Sequence, residues 1–554
     1  MTINKRAGRS IKKNKSFYII SIILTALASM IIVAAVSTGH TLTNVVRDFV
    51  DEYKAEDAEF VTYKPLSEED IDKLEKEYDV ILEYSGYKDI HVKGGDLDGV
   101  TIRAFVMSEK LNLCDVREGH EPEDGEALLT QDFADVHNIK IGDEISLGDD
   151  SYKVSAYTTK ADYIYMLQTF TGFIDNKKFA AIVVDRPEYD RIDTEETGYY
   201  SIKYNKDNSK EVREKLNSDY IIASYMAATT NTRISMPVNE GDAVTNMATM
   251  FAPVMFVIVL TLIVMVLGRN IKNEQYLLGT FISLGFSRKQ IIGHYVRYGL
   301  IPGVVGSVIG VLVSIPLTKV LCRFYIEYDF ETLIYKPTYD LPSVVIALVV
   351  PTILYCAAIA IQAGKLLKKA PVDLLRNTGK DTKAIGIMKN SRAKTQIKMR
   401  VRSVMGHPGR SIVTTIGVAI AAFCIVAGLV MSDSMDALLN DGLTSSIKYE
   451  YLYRLNTLQQ GTPDEGEALF QNYYEVDGST VQLSAQGIET GSKYFPDKTD
   501  SGEKLELDKY YLTSAAAETF GMEPGEELIF YNIADLKEHK VKISGVVTDN
   551  THCY

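Results

Sequence analysis

The chain has 554 residues, with 73 acidic against 59 basic side chains and a formal net charge of −14. Cys114, Cys322, Cys356, Cys424 and Cys553 form no CxxC pair, which excludes a disulfide framework and a thiolate zinc site. The mean hydropathy of −0.03 averages very apolar runs with very acidic segments, and the basic residues gather beside the apolar runs, which leaves no face for nucleic acid.

Residues 1–16 carry Lys5, Arg6, Arg9, Lys12, Lys13 and Lys15 and no acid. Residues 17–38 are uncharged and apolar, long enough to cross a bilayer as a helix. The run exceeds the apolar core of a cleaved signal peptide, so it reads as a retained anchor. The basic flank puts the N-terminus in the cytoplasm.

Residues 39–246 hold 44 Asp and Glu against 23 Lys and Arg. Ser67 opens a short acidic helix, SEEDIDKLEKEY, and alternation over Val100–Val106 predicts a strand. The GGDLDG before it reads as a hairpin turn, since it lacks the register and closing Glu of a calcium loop. AAIVVDRPEYDRI, then YYSIKYN followed by KEVREKLNSDY, predict strands packed by helices. This is a mixed α/β domain outside the cell.

Residues 247–268 form the second span, 269–297 a cytoplasmic loop, and 298–317 the third span. In the third, Gly299-x-x-x-Gly303 and Gly306-x-x-x-Gly310 have the spacing that lets membrane helices approach closely. An outer loop, 318–342, leads to the fourth span, 343–363, and Pro316 and Pro351 are candidate kinks. A basic cytoplasmic linker, 364–410, precedes the fifth span, 411–431, and residues 432–554 form a second, incomplete outer domain. Basic flanks thus lie inside and acidic domains outside, as plasma-membrane topology requires.

The loop at 269–297 carries the densest local signals. A helix is expected from about Ile271 to Leu284, with Leu277, Leu278, Phe281 and Leu284 on one side. Gly285 falls where a helix ends in the left-handed conformation. Ser287 and Gln290 form a capping box for the next helix, and Phe286 and Ile291 a hydrophobic staple.

The chain also repeats itself. Arg9-Ser10-Ile11 aligns with Arg402-Ser403-Val404, and Ile32-Val33-Ala34 with Ile425-Val426-Ala427. In the outer domains, Leu129-Thr130-Gln131 leads to Gly142-Asp143-Glu144, and Leu512-Thr513-Ser514 leads to Gly525-Glu526-Glu527 at the same spacing. Each reads as strand end, short helix, glycine turn and strand. The second unit has one span where the first has four, which implies a truncated form of a longer protein.

Glu274 and the stretch Gly279-Thr280-Phe281-Ile282-Ser283-Leu284-Gly285-Phe286-Ser287-Arg288-Lys289-Gln290-Ile291 resemble the E-x-G-T-L-x-A-L-G-x-S-R-R-Q-I stretch of FtsX-like, MacB-type ABC transporter permeases. Phe281 and Ser283 stand where Leu and Ala are usual, and keep the apolar face. Residues 365–376, KLLKKAPVDLLR, resemble the close of that family's four-span unit. The resemblance implies a multi-pass α-helical membrane protein with mixed α/β extracytoplasmic domains and a duplicated FtsX-like unit. Residues 39–246 would be the periplasmic-core-like domain of MacB. The corner would be the coupling helix, with Glu274, Leu277, Leu278, Phe281, Leu284, Gly285, Phe286, Ser287, Arg288 and Lys289 meeting a dimer of separate ABC ATPase subunits.

No phosphate-binding G-x-x-x-x-G-K-[ST] loop, metal-ligand spacing or nucleophile elbow is present in the sequence, so no catalytic residue and no cofactor are expected. His40, His91, His120, His137, His294, His407, His539 and His552 are expected at the surface or in loops. The implied partners are the ATPase, the lipid bilayer and an outer cargo or protein. The competing class is a membrane sensor or scaffold that regulates signalling or cell-wall enzymes without moving cargo.

Overall fold

The computed structural model describes residues 15–147, 150–169, 174–331, 333–375, 394–405, 408–437 and, with short interruptions, 448–547. The basic stretch 1–14, linker residues 376–393 and the chain end lie outside them. The described chain falls into two compact units. One comprises residues 1–44, 239–325 and 335–429, and the other residues 45–238, 326–334 and 430–554.

The helical unit is built from apolar helices that overshoot their apolar windows. The first helix runs Lys15–Glu52, beyond the expected end at residue 38. Leu42, Val46 and Phe49 recur at helical spacing and are buried, so the helix continues through polar neighbours. The stretch expected as the second span falls within the helix Thr232–Asn273, and the stretch expected as the third within Arg288–Asp329. The fourth and fifth lie within Leu341–Leu367 and Pro408–Ala437. Pro316 and Pro351 sit inside helices that continue past them. Among the described residues, four helices are long and apolar enough to cross a membrane: Tyr18–Glu52, Arg288–Glu327, Leu341–Leu367 and Gly417–Ser434.

Glycine sets the packing of the third span. A Cβ on Gly299 would lie 2.5 Å from Ile359 Cδ1, and one on Gly303 would lie 2.9 Å from Thr352 Cα. The other pair faces the first helix: Gly306 meets Thr25 Cβ at 2.7 Å and Gly310 meets Ala26 O at 2.5 Å. One helix thus seats two neighbours on its two small-residue steps. A polar seam joins those neighbours. Tyr355 donates to Ser21 O at 3.0 Å, its hydroxyl lies 2.8 Å from Thr25 Oγ1, and Ser29 donates to Ala347 O at 3.0 Å. Gly39 and Gly241 bring the first helix against Thr232–Asn273, where a Cβ on Gly39 would lie 2.6 Å from Gly241 O.

The other unit holds two sheets. The first uses β1 (Ala58–Thr62), β2 (Val80–His91), β3 (Thr101–Val106), β4 (Cys114–Arg117), β5 (Glu126–Thr130), β6 (Glu144–Leu147), β7 (Asp150–Lys160), β8 (Phe179–Val184), β9 (Glu196–Tyr204) and β10 (Ile222–Ala227). Its order is β10-β1-β9-β2-β3-β8-β5-β7-β4, with β6 on β7. β3 pairs parallel with β8 and β5 with β7; the other pairings are antiparallel. β8 is buried along its whole length, as its unbroken apolar run requires. The expected acidic helix spans Glu68–Tyr78 and is held by a capping box between Ser67 and Asp70. It packs with the helix Ser209–Tyr220 over Phe60, Leu82 and Ile202. The GGDLDG segment joins β2 to β3 as a hairpin, with Gly94, Gly95 and Gly99 at positive φ.

The second sheet uses β11 (Phe470–Val476), β12 (Gln482–Gly487), β13 (Tyr510–Thr513), β14 (Glu527–Asn532) and β15 (Glu538–Val547), in the order β12-β11-β14-β15-β13. Ile533 joins the apolar cluster around the helix Ser209–Tyr220, and Arg213 donates to Glu475 Oε1 at 2.6 Å.

The two outer segments aligned in the sequence fold alike. β5 leads into the helix Gln131–His137, and β13 into the helix Ser514–Phe520; both strands pair parallel with the last strand of their segment, β7 or β15, each with a register shift. Asn138 and Gly521 end the two helices in the left-handed region. Gly142 N donates to Val154 O at 2.8 Å, and Gly525 N donates to Ile543 O at 2.7 Å. Lys140 N donates to Asp143 Oδ2, and Glu523 N donates to Glu526 Oε2, each at 2.8 Å.

Three segments of the chain fasten on two loops of the first outer domain, which are themselves joined by Ala161 N donating to Leu113 O at 3.3 Å. Just after the first helix, Tyr53 O accepts from Leu113 N at 2.9 Å and Lys54 O accepts from Asn112 N at 3.0 Å. At the start of Thr232–Asn273, Arg233 O accepts from Tyr165 N at 3.0 Å, while its guanidinium donates to Tyr163 Oη and Glu59 Oε2. Tyr163 Oη also accepts from Arg103, whose other nitrogens chelate Asp89 at 2.8 Å each. The third segment, Ile326–Ile334, docks through Glu331 N on Ile164 O at 2.8 Å.

Candidate functional site

The corner between the second and third apolar helices is fixed from both ends. The long helix stops at Asn273, and Glu274, at φ −95° and ψ 10°, turns the chain into a short helix, Gln275–Ser283. The continuous helix expected from Ile271 is therefore corrected: residues 271–273 belong to the preceding element. Glu274 does not face outward as a free docking carboxylate. Its Oε2 accepts from Tyr295 Oη at 3.0 Å, which ties the start of the corner to the following helix.

The exit is a full glycine stop. Gly285 has φ +86°, its N–H donates to Ile282 O at 3.0 Å, and Phe286 N donates to Phe281 O at 3.1 Å. This is the paired 6→1 and 5→2 arrangement in which the residue after the glycine packs back on the helix. The Phe281 and Phe286 rings meet edge-on at 5.8 Å. Ser287 N then donates to Gln290 Oε1 at 2.9 Å, and Gln290 N donates to Ser287 Oγ at 3.3 Å. Phe286 and the buried Ile291 enter one apolar cluster, as a staple requires.

The expected apolar face divides in two. Leu278 is 0% exposed, inside a cluster with Ile271, Ile291, Leu367 and Leu374. Phe281 is half-buried against the same cluster, Leu277 is half-buried, and Leu284 is 68% exposed. Leu278 is thus corrected from a surface for another protein to an anchor within this chain. Its cover is the helix Pro371–Leu375, in the stretch that resembles the close of the four-span unit. A Cβ on Gly279 would lie 3.1 Å from Leu374 Cβ and 3.0 Å from Leu375 Cγ, so glycine is what lets the two helices touch.

Pattern reasoning missed Tyr276, which is 59% exposed, and with Leu284 it gives the corner its large exposed apolar side chains. Arg288 and Lys289 are exposed just past the cap, as is Ser287. His294, expected at the surface, is buried with its ring 6.2 Å from Phe281 and 5.6 Å from Tyr295. Among the described residues, no group of His, Cys, Asp and Glu is arranged to hold a metal.

The corner thus belongs to a polytopic helical protein whose connecting segment is rigid, partly apolar and flanked by cations. Residues 249–371 match the family model described as FtsX-like permease C-terminal. That stretch of the chain is similar to the FtsX-like permease C-terminal domain. No curated protein matches the chain.

Proposed function

We propose that this chain is the membrane subunit of an ABC transporter, and that its corner docks at the cytoplasmic face on a separate ATPase dimer. The observation that carries the reading is the pair of exposed side chains Tyr276 and Leu284 beside Arg288 and Lys289, on a helix locked at both ends within the matched domain. The apolar pair fills a groove, and the two cations meet acids at its rim, where charge steers and orients. Leu278, fully buried, keeps the shape of the docking element, and the half-buried Phe281 and Leu277 adjoin its surface. ATP-driven movement of the partner then shifts the attached helices and reshapes the outer domains. That motion serves export of, or force transmission to, cargo of the peptide, antimicrobial or lipoprotein type. The cytoplasmic N-terminus and plasma-membrane location follow from the basic flanks.

The paired hydrogen bonds of the two strand–helix–turn segments support an origin by duplication. The docking test is co-expression of the chain with a candidate ABC ATPase subunit. Tyr276→Asp with Leu284→Asp abolishes co-purification and leaves the thermal stability of the chain alone unchanged. An intact complex from the double variant refutes the docking surface.

A further inference from the structure

The connection between the helices Arg288–Asp329 and Leu341–Leu367 is seated in the outer unit. Ile326, Phe330 and Leu333 are buried there. Asp132 N donates to Glu331 Oε1 at 3.0 Å, so the carboxyl sits on the first turn of the helix Gln131–His137. Glu331 is 1% exposed, and its Oε2 is buried with no hydrogen-bond partner among the described residues. An anion with one buried oxygen left without a protein donor is costly; the neutral acid is less so. The neighbouring charges do not remove that cost. Asp132 and Asp135 face the seat from the helix. Arg117 and Glu118 approach from the end of β4, and Arg117 is already engaged by Asp115 at 3.1 Å. Glu327 lies on the segment itself.

We propose that Ile326–Ile334 is a proton-linked strap, seated firmly on the first outer domain while Glu331 carries its proton and loosened when that proton leaves. Burial pushes the Glu331 carboxyl up to about 8 from its ordinary 4.5, with the Asp132 charge adding to the rise, and the Asp132 backbone N–H, Arg117 and the Gln131 backbone N–H opposing it. Seating therefore takes up a proton between those two values. It is strongest below 4.5 and weakens about tenfold per pH unit as the pH rises towards 8, and it is constant above that. The apolar side chains of the strap hold it in place, and the carboxyl sets how firmly. The device lies on the opposite side of the chain's logic from ATPase docking and stands without it.

The test is hydrogen exchange of the full chain in lipid nanodiscs, read on the peptide covering residues 326–334 after correction for the intrinsic pH dependence of exchange. In the wild type, protection falls about tenfold per unit from pH 6 to pH 8. Glu331→Gln keeps the strap protected with no pH slope. Glu331→Ala lowers protection through the lost cap on Asp132 N, and it too shows no slope. The β8 peptide, residues 179–184, stays protected throughout. A flat wild-type profile overturns the proposal, as does the same slope in either variant or a parallel loss of protection in β8.

Discussion

The corner at residues 274–291 and the fastening loops at residues 111–115 and 160–167 both hold helices in place, by opposite means. The corner uses backbone geometry: a positive-φ glycine, a reciprocal cap and two phenylalanines packed edge to face, all within a few residues of one another. The fastening loops use charge brought from afar. Arg233 reaches Glu59, 174 residues away, and shares Tyr163 Oη with Arg103. A local device keeps its shape when one contact fails, because its neighbours are covalent. A long-range buried device has no such support, since removing one partner leaves another charge buried and unpaired.

The largest expected effect therefore lies in the outer domain. Arg233→Met removes the bond to Glu59 and one of the two guanidinium donors on Tyr163, and destabilises the domain by about 3 kcal/mol or more. The check is thermal unfolding of the detergent-solubilised chain. A loss no larger than that of a surface substitution contradicts the contrast. At the corner, Leu278→Ala empties the cluster beneath the short helix and costs about 2–5 kcal/mol, whereas Leu284→Ala, at an exposed position, stays within about 0.5 kcal/mol. Equal effects from the two leucines contradict the division of the apolar face. Gly285→Ala falls between the two leucines: it places a Cβ at φ +86° and costs about 1 kcal/mol. Open space surrounds that position, so the penalty is conformational and the overall unfolding profile keeps its form.

The same contrast explains what the sequence disclosed. Gly285, Ser287 and Gln290 were legible because each acts on residues within five positions of itself. The hairpin at GGDLDG and the acidic helix after Ser67 were legible for the same reason. Spacing placed Leu277, Leu278, Phe281 and Leu284 on one side of a helix, but could not say which of them this chain would cover for itself. That depended on Leu374 arriving nearly a hundred residues later and on Gly279 having no side chain to exclude it. Helix lengths were underestimated because HTLTNVVRDFV reads as polar by composition, although Leu42, Val46 and Phe49 align on one buried face. Glu331 carried no local signal at all; an acid in an outer loop is ordinarily solvated, and only the seating of its neighbours takes it out of water.

Gly39 and Gly241 have a consequence for how this protein can change over time. Where the first helix meets Thr232–Asn273, the separation is set by main chain on main chain, with Thr43 and Thr245 closing the sides. Most helix contacts can drift by compensated exchange, a larger residue on one side answered by a smaller one on the other. Here neither side has anything smaller to offer. The crossing is a point of frozen spelling: the sequence around it is free to vary, and the two glycines are not.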